Sequence, residues 1–543
     1  MGKQHIILVA LLMSPNIYPQ HLDWSYSIGG NRDDRCFDME ISNTGNICLT
    51  GGICNWVDFD LKGNSTIVSA QGTNMSDIFV AIYHSNLDLV NAFTLNSEEW
   101  NYATDLETDE SNNIYISGYY YGTVDFDPSQ DEYKLSAPET IFFIAKYDST
   151  GVFKWAKRIF EKNDPYLGLI GSVMFSDENS NIYLSTPDSL RKVDKDGRNI
   201  WSVPADGLAE YDGTSNFYIL SCNTTPYFPE TNDRLFLTKI DTSGSVLFAK
   251  EIITNSSDGI SGRLFYDKSG NLLISGMFWG NCAFKGGDNT INMTNNKTYC
   301  CLPRDACGDC PSYNGYLAKF DTAGNIIWVC DFGDNAPNPR IIETKSDGTI
   351  FTLGFLNFSA DFDPAEKNKQ LINNGYGHYV AKYDESGDFL AAIKFMGGSY
   401  NDNIERFKII DDSIAYICGH FFNTINLDLS GGTSTLYASP PEDIFMAKYS
   451  DFDIHDFTIE SVQEPVSEPG VVVYPNPTQG HIFIQHDAGS IKTVSVRNMH
   501  GQTVVTINEY DGDPIDLSFL PEGVYVICID AMDALHVEKI IKL

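Results

Sequence analysis

One stretch, FFIAKYDSTGVFKW at Phe142 to Trp155, recurs along the chain and constrains everything else it can do. It reads as a strand, a tight turn and a second strand. Asp148 suits the first turn position, and Gly151 accepts the positive φ that closes a hairpin. Aligned on the lysine, copies stand at Lys146, Lys192, Lys239, Lys319, Lys382 and Lys448, and a degenerate first copy carries Ile82 in that place. A second element keeps step with the first: Asn113-Ile-Tyr-Ile-Ser-Gly118, Asn271-Leu-Leu-Ile-Ser-Gly276 and five relatives. Each is a β-branched and aromatic run bounded by Asn, Asp and Gly, which is a strand signal. Seven copies of about four strands, with no helical period between them, predict a seven-bladed β-propeller. A linear β-solenoid is the competing arrangement.

The ends of the repeat favour a closed ring. Three copies finish in a Trp strand, at Trp155, Trp201 and Trp328, but the copy at Lys448 does not. An orphan strand, Trp24 to Gly30, stands at the other end of the sequence. Pairing the two completes the last blade and removes open sheet edges. The pattern G-x-aromatic…D-F-D, then F-x-A-K-Y-D-x-x-G-x-x-x-W, resembles the β-propeller repeats common in bacterial surface and secreted proteins. The resemblance covers residues 21 to about 455 and speaks to fold rather than to activity.

The differences between copies are where function is sought. The connection from the Asn-Ile-Tyr strand to the Phe-x-Ala-Lys strand varies from about 3 to about 39 residues. In a repeat fold such loops share one face, often the binding face. They are aromatic, and two readings stand: packing between blades, or a platform for sugars or peptides. Tyr119, Tyr120, Tyr121, Phe278 and Trp279 are the candidate ligand-binding residues. The Asp-Phe-Asp triplets at Asp58, Asp125 and Asp361 read as structural turns, as calcium sites, or as an acid–base pair. Because they repeat, the turn reading leads, with structural calcium as the cofactor to test and no other cofactor or metal assigned. The longest connection carries Cys300, Cys301, Cys307 and Cys310. Zinc is one reading; in an exported chain, disulfides are the favoured one.

Residues 1–20 read as a signal peptide: Lys3, then an apolar run from Ile6 to Met13 too short to cross a bilayer. The propeller is assigned to 21–457 and a Pro- and Glu-rich linker to 458–470. Residues 471–543 alternate as six or seven strands, fitting a small Ig-like sandwich. Their motifs are Tyr474-Pro475-Asn476-Pro477-Thr478-Gln479-Gly480, a run ending Asn498-Met-His-Gly501, then Gly523-Val-Tyr525 and a terminal Lys542. Together these closely resemble the type A C-terminal sorting domain of the type IX secretion system. The resemblance implies an outer-membrane translocon and its sorting peptidase as partners. It also implies passage through the periplasm to the medium or outer surface of a Gram-negative bacterium.

A formal charge of −37 over 543 residues argues against nucleic acid. No H-E-x-x-H, G-x-S-x-G or P-loop is present, and no catalytic residue is assigned. The expected function is therefore non-enzymatic binding of a glycan, peptide or protein partner. A carbohydrate-active enzyme, glycosidase or lyase, is the alternative.

Overall fold

The computed structural model describes residues 21–454 and 471–542, apart from internal segments of which the longest are 162–172, 223–233 and 301–308. The expected signal peptide lies outside the described residues. The chain divides into two compact units, Met1–Asp456 and Phe457–Leu543.

The first unit is built from seven antiparallel sheets, each containing four strands in consecutive order. Blade 1 comprises Asp34–Ile41, Ile47–Ile53, Asp77–Tyr83 and Leu89–Leu95. The innermost strands of the others are Asn101–Thr108, Val173–Ser176, Ala209–Tyr211, Arg263–Tyr266, Asn338–Thr344 and Asn403–Ile410 for blades 2 to 7. The fourth strand of blade 7 is His21–Ile28, paired antiparallel with Thr435–Ser450. Contacts run round the set without a break. Leu106 donates to Asp38, Met174 to Asp105, Ala209 to Ser185 and Ser275 to Pro339. Ser346 then donates to Asp412, and Arg35 to Glu442, while blades 4 and 5 share an apolar core. The fold is a β-propeller closed by a strand from the start of the sequence, and the solenoid arrangement is excluded.

Two staples explain why the repeat looks as it does. In the first, the Asp of Asp-x-x-Gly caps its own turn: Asp148 Oδ1 accepts from the amides of Thr150 and Val152 at 3.0 and 3.1 Å. The glycine takes positive φ, +84° at Gly387, where it also lies under the Trp328 ring of the neighbouring blade. The Trp328 indole N–H donates to the Glu385 carbonyl of that turn at 3.1 Å. Trp155 and Trp201 sit likewise on Gly197 and Gly244. The motif D-x-x-G-x-x-x-W thus encodes a turn in one blade and its lid from another.

The second staple is built on the Asp-Phe-Asp triplets. Phe59, Phe126 and Phe362 are fully buried. Each backbone carbonyl accepts from a tyrosine hydroxyl of the adjacent hairpin: Tyr83 to Phe59 at 2.8 Å, Tyr147 to Phe126 at 2.9 Å and Tyr383 to Phe362 at 3.3 Å. In blade 7, Tyr449 meets Leu427 at 2.7 Å. The first aspartate closes the turn: Asp125 Oδ1 accepts from the amides of Asp127 and Tyr133 at 3.2 and 2.9 Å. Backbone amides therefore hold this carboxylate, as a structural turn requires.

One connection does more than turn. In blade 5 the hairpin Gly280–Gly286 and Asn289–Asn295 pairs with the outer strand Val246–Asn255 of blade 4, extending that sheet to six strands. Nothing in the repeat pattern marks this extension.

The second unit is a two-sheet β-sandwich. Val471–Tyr474, His481–His486 and Ile515–Asp516 form one sheet. Ile491–Asn498, Thr503–Tyr510, Gly523–Ala531 and Ala534–Lys542 form the other. Ile482, Val494, Val496, Leu517, Ile527 and Ile540 fill the space between them.

Candidate functional site

Side chains of the innermost strands meet at the propeller axis. A β-bulge interrupts this strand in blades 1, 2, 6 and 7, between Cys36 and Asp38, Ala103 and Asp105, Pro339 and Ile341, and Ile404 and Arg406. Bulges re-aim side chains. Here Arg406 of blade 7 holds Asp38 of blade 1 with its Nε and reaches Asp105 of blade 2 at 3.0 Å through Nη2. Burial pushes the Asp105 carboxyl well above the usual range, and the Asp38 charge adds to the shift. Burial would raise Asp38 too, but the guanidinium of Arg406 holds it below its ordinary value. Arg406 is 41% exposed while both carboxylates are almost fully buried.

One layer along the axis, Lys408 pairs with Glu40 at 2.5 Å and Ser176 donates to Glu107 at 2.9 Å. Burial, with Glu40 nearby, pushes Glu107 up to about 8, and burial takes Glu210 to about 8 and Glu343 to about 7. The axis therefore carries carboxyls that hold protons near neutrality.

The mouth of the lumen on the long-connection face is different. Trp100 and Tyr102 have ring centroids 5.8 Å apart, and Tyr102 meets Phe37 edge-on at 6.0 Å. All three rings are partly exposed. Arg35, two residues from Phe37, pairs with buried Glu442 at 2.7 Å. Arg340 donates to Asn403 at 2.9 Å. Behind them His378 and His420 are buried, and the Nδ1 of each has no hydrogen-bond partner. Burial lowers their pKa values to about 4 and about 3, with the charges of Arg340 and Arg35 adding to it, so both rings are neutral.

The sequence-predicted ligand contacts fall elsewhere. Tyr119, Tyr120 and Phe278 are at most 2% exposed and pack in the apolar core, so ligand contact there is corrected to packing. They lie in strands that continue into the connection, and alternate positions of such strands face the core. Tyr121 is exposed, with its amide donating to the Trp100 carbonyl at 3.4 Å, and Trp279 is half-buried. Trp100, Tyr102, Phe37, Arg35 and the axial charges were not singled out from sequence. Their signal was available: Asp38-x-Glu40, Asp105-x-Glu107 and Arg406-x-Lys408 place charges at i and i+2, on one face of a strand.

Cys301 and Cys307 lie outside the described residues. Cys300 and Cys310 lie on adjacent short strands, Thr298–Cys300 and Asp309–Pro311. Cys36, Cys48, Cys54, Cys282, Cys330, Cys418 and Cys528 are free thiols, with Cys36 and Cys418 in contact at 3.3 Å between sulfurs. Among the described residues no cluster of His, Cys, Asp and Glu is arranged to hold a metal.

In the second unit, Pro475, Asn476, Pro477 and Gly501 also lie outside the described residues, and Tyr474 ends a strand. Gly480 accepts from the Leu517 amide at 2.6 Å and faces Ser518 so closely that a Cβ would lie 3.2 Å away. Asn498 pairs with Tyr525, whose hydroxyl donates to the Pro521 carbonyl at 2.9 Å. Lys542 pairs with Gly523 and bridges in parallel to Thr478. The motif residues described here thus converge on one end of the sandwich. Residues 472–543 match the family described as the secretion system C-terminal sorting domain.

The C-terminal unit is a type IX secretion sorting domain. The sorting domain makes the whole chain an exported one, found in the medium or on the outer cell surface of a Gram-negative bacterium. No curated protein is detectably similar to the chain. Solved structures resemble it in fold alone. YCF48 bound to D1 peptide is 10% identical with a TM-score of 0.39, covering 81% of this chain and all of that one. The β-propeller domain of the Trilobed protease from Pyrococcus furiosus is 8% identical with a TM-score of 0.37, covering 75% and 96%. The Pan2 WD40 domain of Neurospora crassa is 12% identical with a TM-score of 0.34, covering 65% and 90%.

Proposed function

We propose that the chain is an exported, non-enzymatic propeller that binds a glycan at the mouth of its lumen. The observation behind this reading is the partly exposed aromatic run Trp100–Tyr102–Phe37, ending at the Arg35–Glu442 pair. Aromatic faces accept the apolar faces of sugar rings, and the charged pair offers donors and acceptors for hydroxyls. The axial carboxyls are ill-suited to hydrolysis, since Asp38 and Asp105 are tied to Arg406 and to backbone amides. The sorting domain engages the outer-membrane translocon and its peptidase, and the cysteines of the longest connection pair once the chain is exported.

Titration of the full chain with a panel of oligosaccharides, followed by tryptophan fluorescence and by product analysis, tests the reading. Binding that falls at least tenfold in Trp100→Ala and Tyr102→Ala without turnover supports it. Affinity unchanged in both variants, or release of shortened sugar, overturns it. A parallel arm in chelator asks whether structural calcium is needed: an unchanged melting temperature leaves the Asp-Phe-Asp turns as protein-only structures.

A further inference from the structure

The arginines at the mouth are unevenly matched. Arg35 has Glu442. Arg340 has only the amide oxygen of Asn403. Arg263, the first residue of the innermost strand of blade 5, pairs through its backbone with Ser275, but its side chain has no hydrogen-bond or ion-pair partner among the described residues, and it is exposed. Its charged surroundings are Arg340, Arg406 and Glu405. Arg406 is already committed to Asp38 and Asp105. Glu405 lies among the three arginines without forming an ion pair to any of them, and its carboxylate is held by the Asn403 amide. Two guanidinium groups on adjacent blades, 5 and 6, thus lie near enough to repel one another, and among the described residues neither has a carboxylate in salt-bridge contact. The chain as a whole has twice as many acidic as basic side chains, 73 against 36, so suitable partners were not scarce.

Like charges placed together cost stability. Burial and the nearby Arg340 charge lower the Arg263 pKa to about 10, in keeping with this repulsion. A planar guanidinium fork without a protein partner matches a carboxylate or sulfate group. An anion between the two arginines would relieve their repulsion while its sugar ring lies towards the aromatic run.

We propose that Arg263 and Arg340 form an oxyanion subsite at the lumen mouth, so that the glycan taken up is an acidic one bearing carboxylate groups. The subsite rests on the glycan-binding reading and adds the charge class of the ligand.

The test uses the full chain with trigalacturonate as the acidic probe and maltotriose as the neutral one, at matched ionic strength. In the absence of sugar, Arg263→Gln should raise the melting temperature, because it removes a repulsion and breaks no contact. With sugar, trigalacturonate should stabilise the unmodified chain, and Arg263→Gln and Arg340→Gln should each weaken its binding at least tenfold. Its affinity should also fall with added salt. Arg158→Gln, on an outer strand, should bind as the unmodified chain does. A lower melting temperature for Arg263→Gln in the absence of sugar would assign the arginine a structural role and sink the subsite. Maltotriose bound as tightly as trigalacturonate, with Trp100→Ala abolishing both, would leave glycan binding intact and overturn the acidic class. No binding of either probe, and none of any oligosaccharide in the wider panel, would overturn both.

Discussion

The Tyr83 hydroxyl donates a 2.8 Å hydrogen bond to the backbone carbonyl of Phe59, tying a long surface connection to the strand beneath it. The tie recurs at Tyr147, Tyr383 and Tyr449. It is missing where the sequence has Val193, Ile240 and Phe320 instead, and those blades also lack an Asp-Phe-Asp or Asn-Leu-Asp triplet. Tyr147→Phe should leave the buried Phe126 carbonyl unpaired and cost about 1–3 kcal/mol. Thermal denaturation of the variant checks this; an unchanged melting temperature would mean the hydroxyl contributes nothing.

The tryptophan lids separate two roles of glycine. Gly387 and Gly213 both take positive φ, at +84° and +74°. A Cβ on Gly387 would come within 2.8 Å of the Trp328 ring, whereas one on Gly213 would meet nothing within 4 Å. Gly213→Ala should therefore cost only the left-handed backbone term, about 1–2 kcal/mol. Gly387→Ala should cost clearly more, and Trp328 fluorescence should shift with it. Equal losses in the two variants would show that the ring yields freely.

The lumen carboxyls give stability a pH dependence of definite sign. Glu107 has its folded-state pKa raised from 4.5 to about 8, mainly by burial and then by Glu40, against the opposing charge of Lys408. A raised acid stabilises the fold most when protonated. Its contribution is fully present below pH 4.5 and is lost as pH rises through about 8. Glu107→Gln keeps an acceptor for Ser176 and cannot ionise. Its melting temperature should match the unmodified chain near pH 4.5 and exceed it increasingly towards pH 8. The buried histidines work the other way at the acid end: His378, lowered from 6.5 to about 4, favours the fold above pH 6.5 and withdraws that support below it. A pH-independent difference for Glu107→Gln would contradict the assignment.

The sorting signal lies in the second unit. Deleting residues 471–543 should leave the propeller folded, because the two units have separate cores, but trap it in the periplasm. Cell fractionation with a melting curve of the trapped protein checks both halves. Appearance of the truncated chain in the medium would show that another signal suffices.

Much of the fold was legible because each staple needs a particular residue. Gly151 and Asp148 are required by backbone geometry, and Trp155 by the glycine it covers, so the requirement is written in the same letters each time. The site was less legible. Tyr119 and Tyr120 left two readings open, packing between blades and a surface platform, because the sequence does not mark where their strand ends; the strand Ile114–Asp125 carries them into the core. Asp105 and Arg406 meet through bulges in blades that are not neighbours, and no sequence spacing records that meeting. The same holds for the added hairpin of blade 5, whose partner strand ends 25 residues earlier in the chain.

The last blade takes its outer strand from residues 21–28, and Ser27 lies 416 positions from Asp443, the residue to which it donates a hydrogen bond. A chain threaded through a membrane with its N-terminus leading delivers this strand early and its partner late. Until Thr435–Ser450 emerges, the ring has a gap with two bare sheet edges, each able to pair with the wrong chain. In such a passage the ring could close only after Thr435–Ser450 had crossed, and the sorting domain, which follows that strand in the sequence, would emerge with every strand of the ring already through.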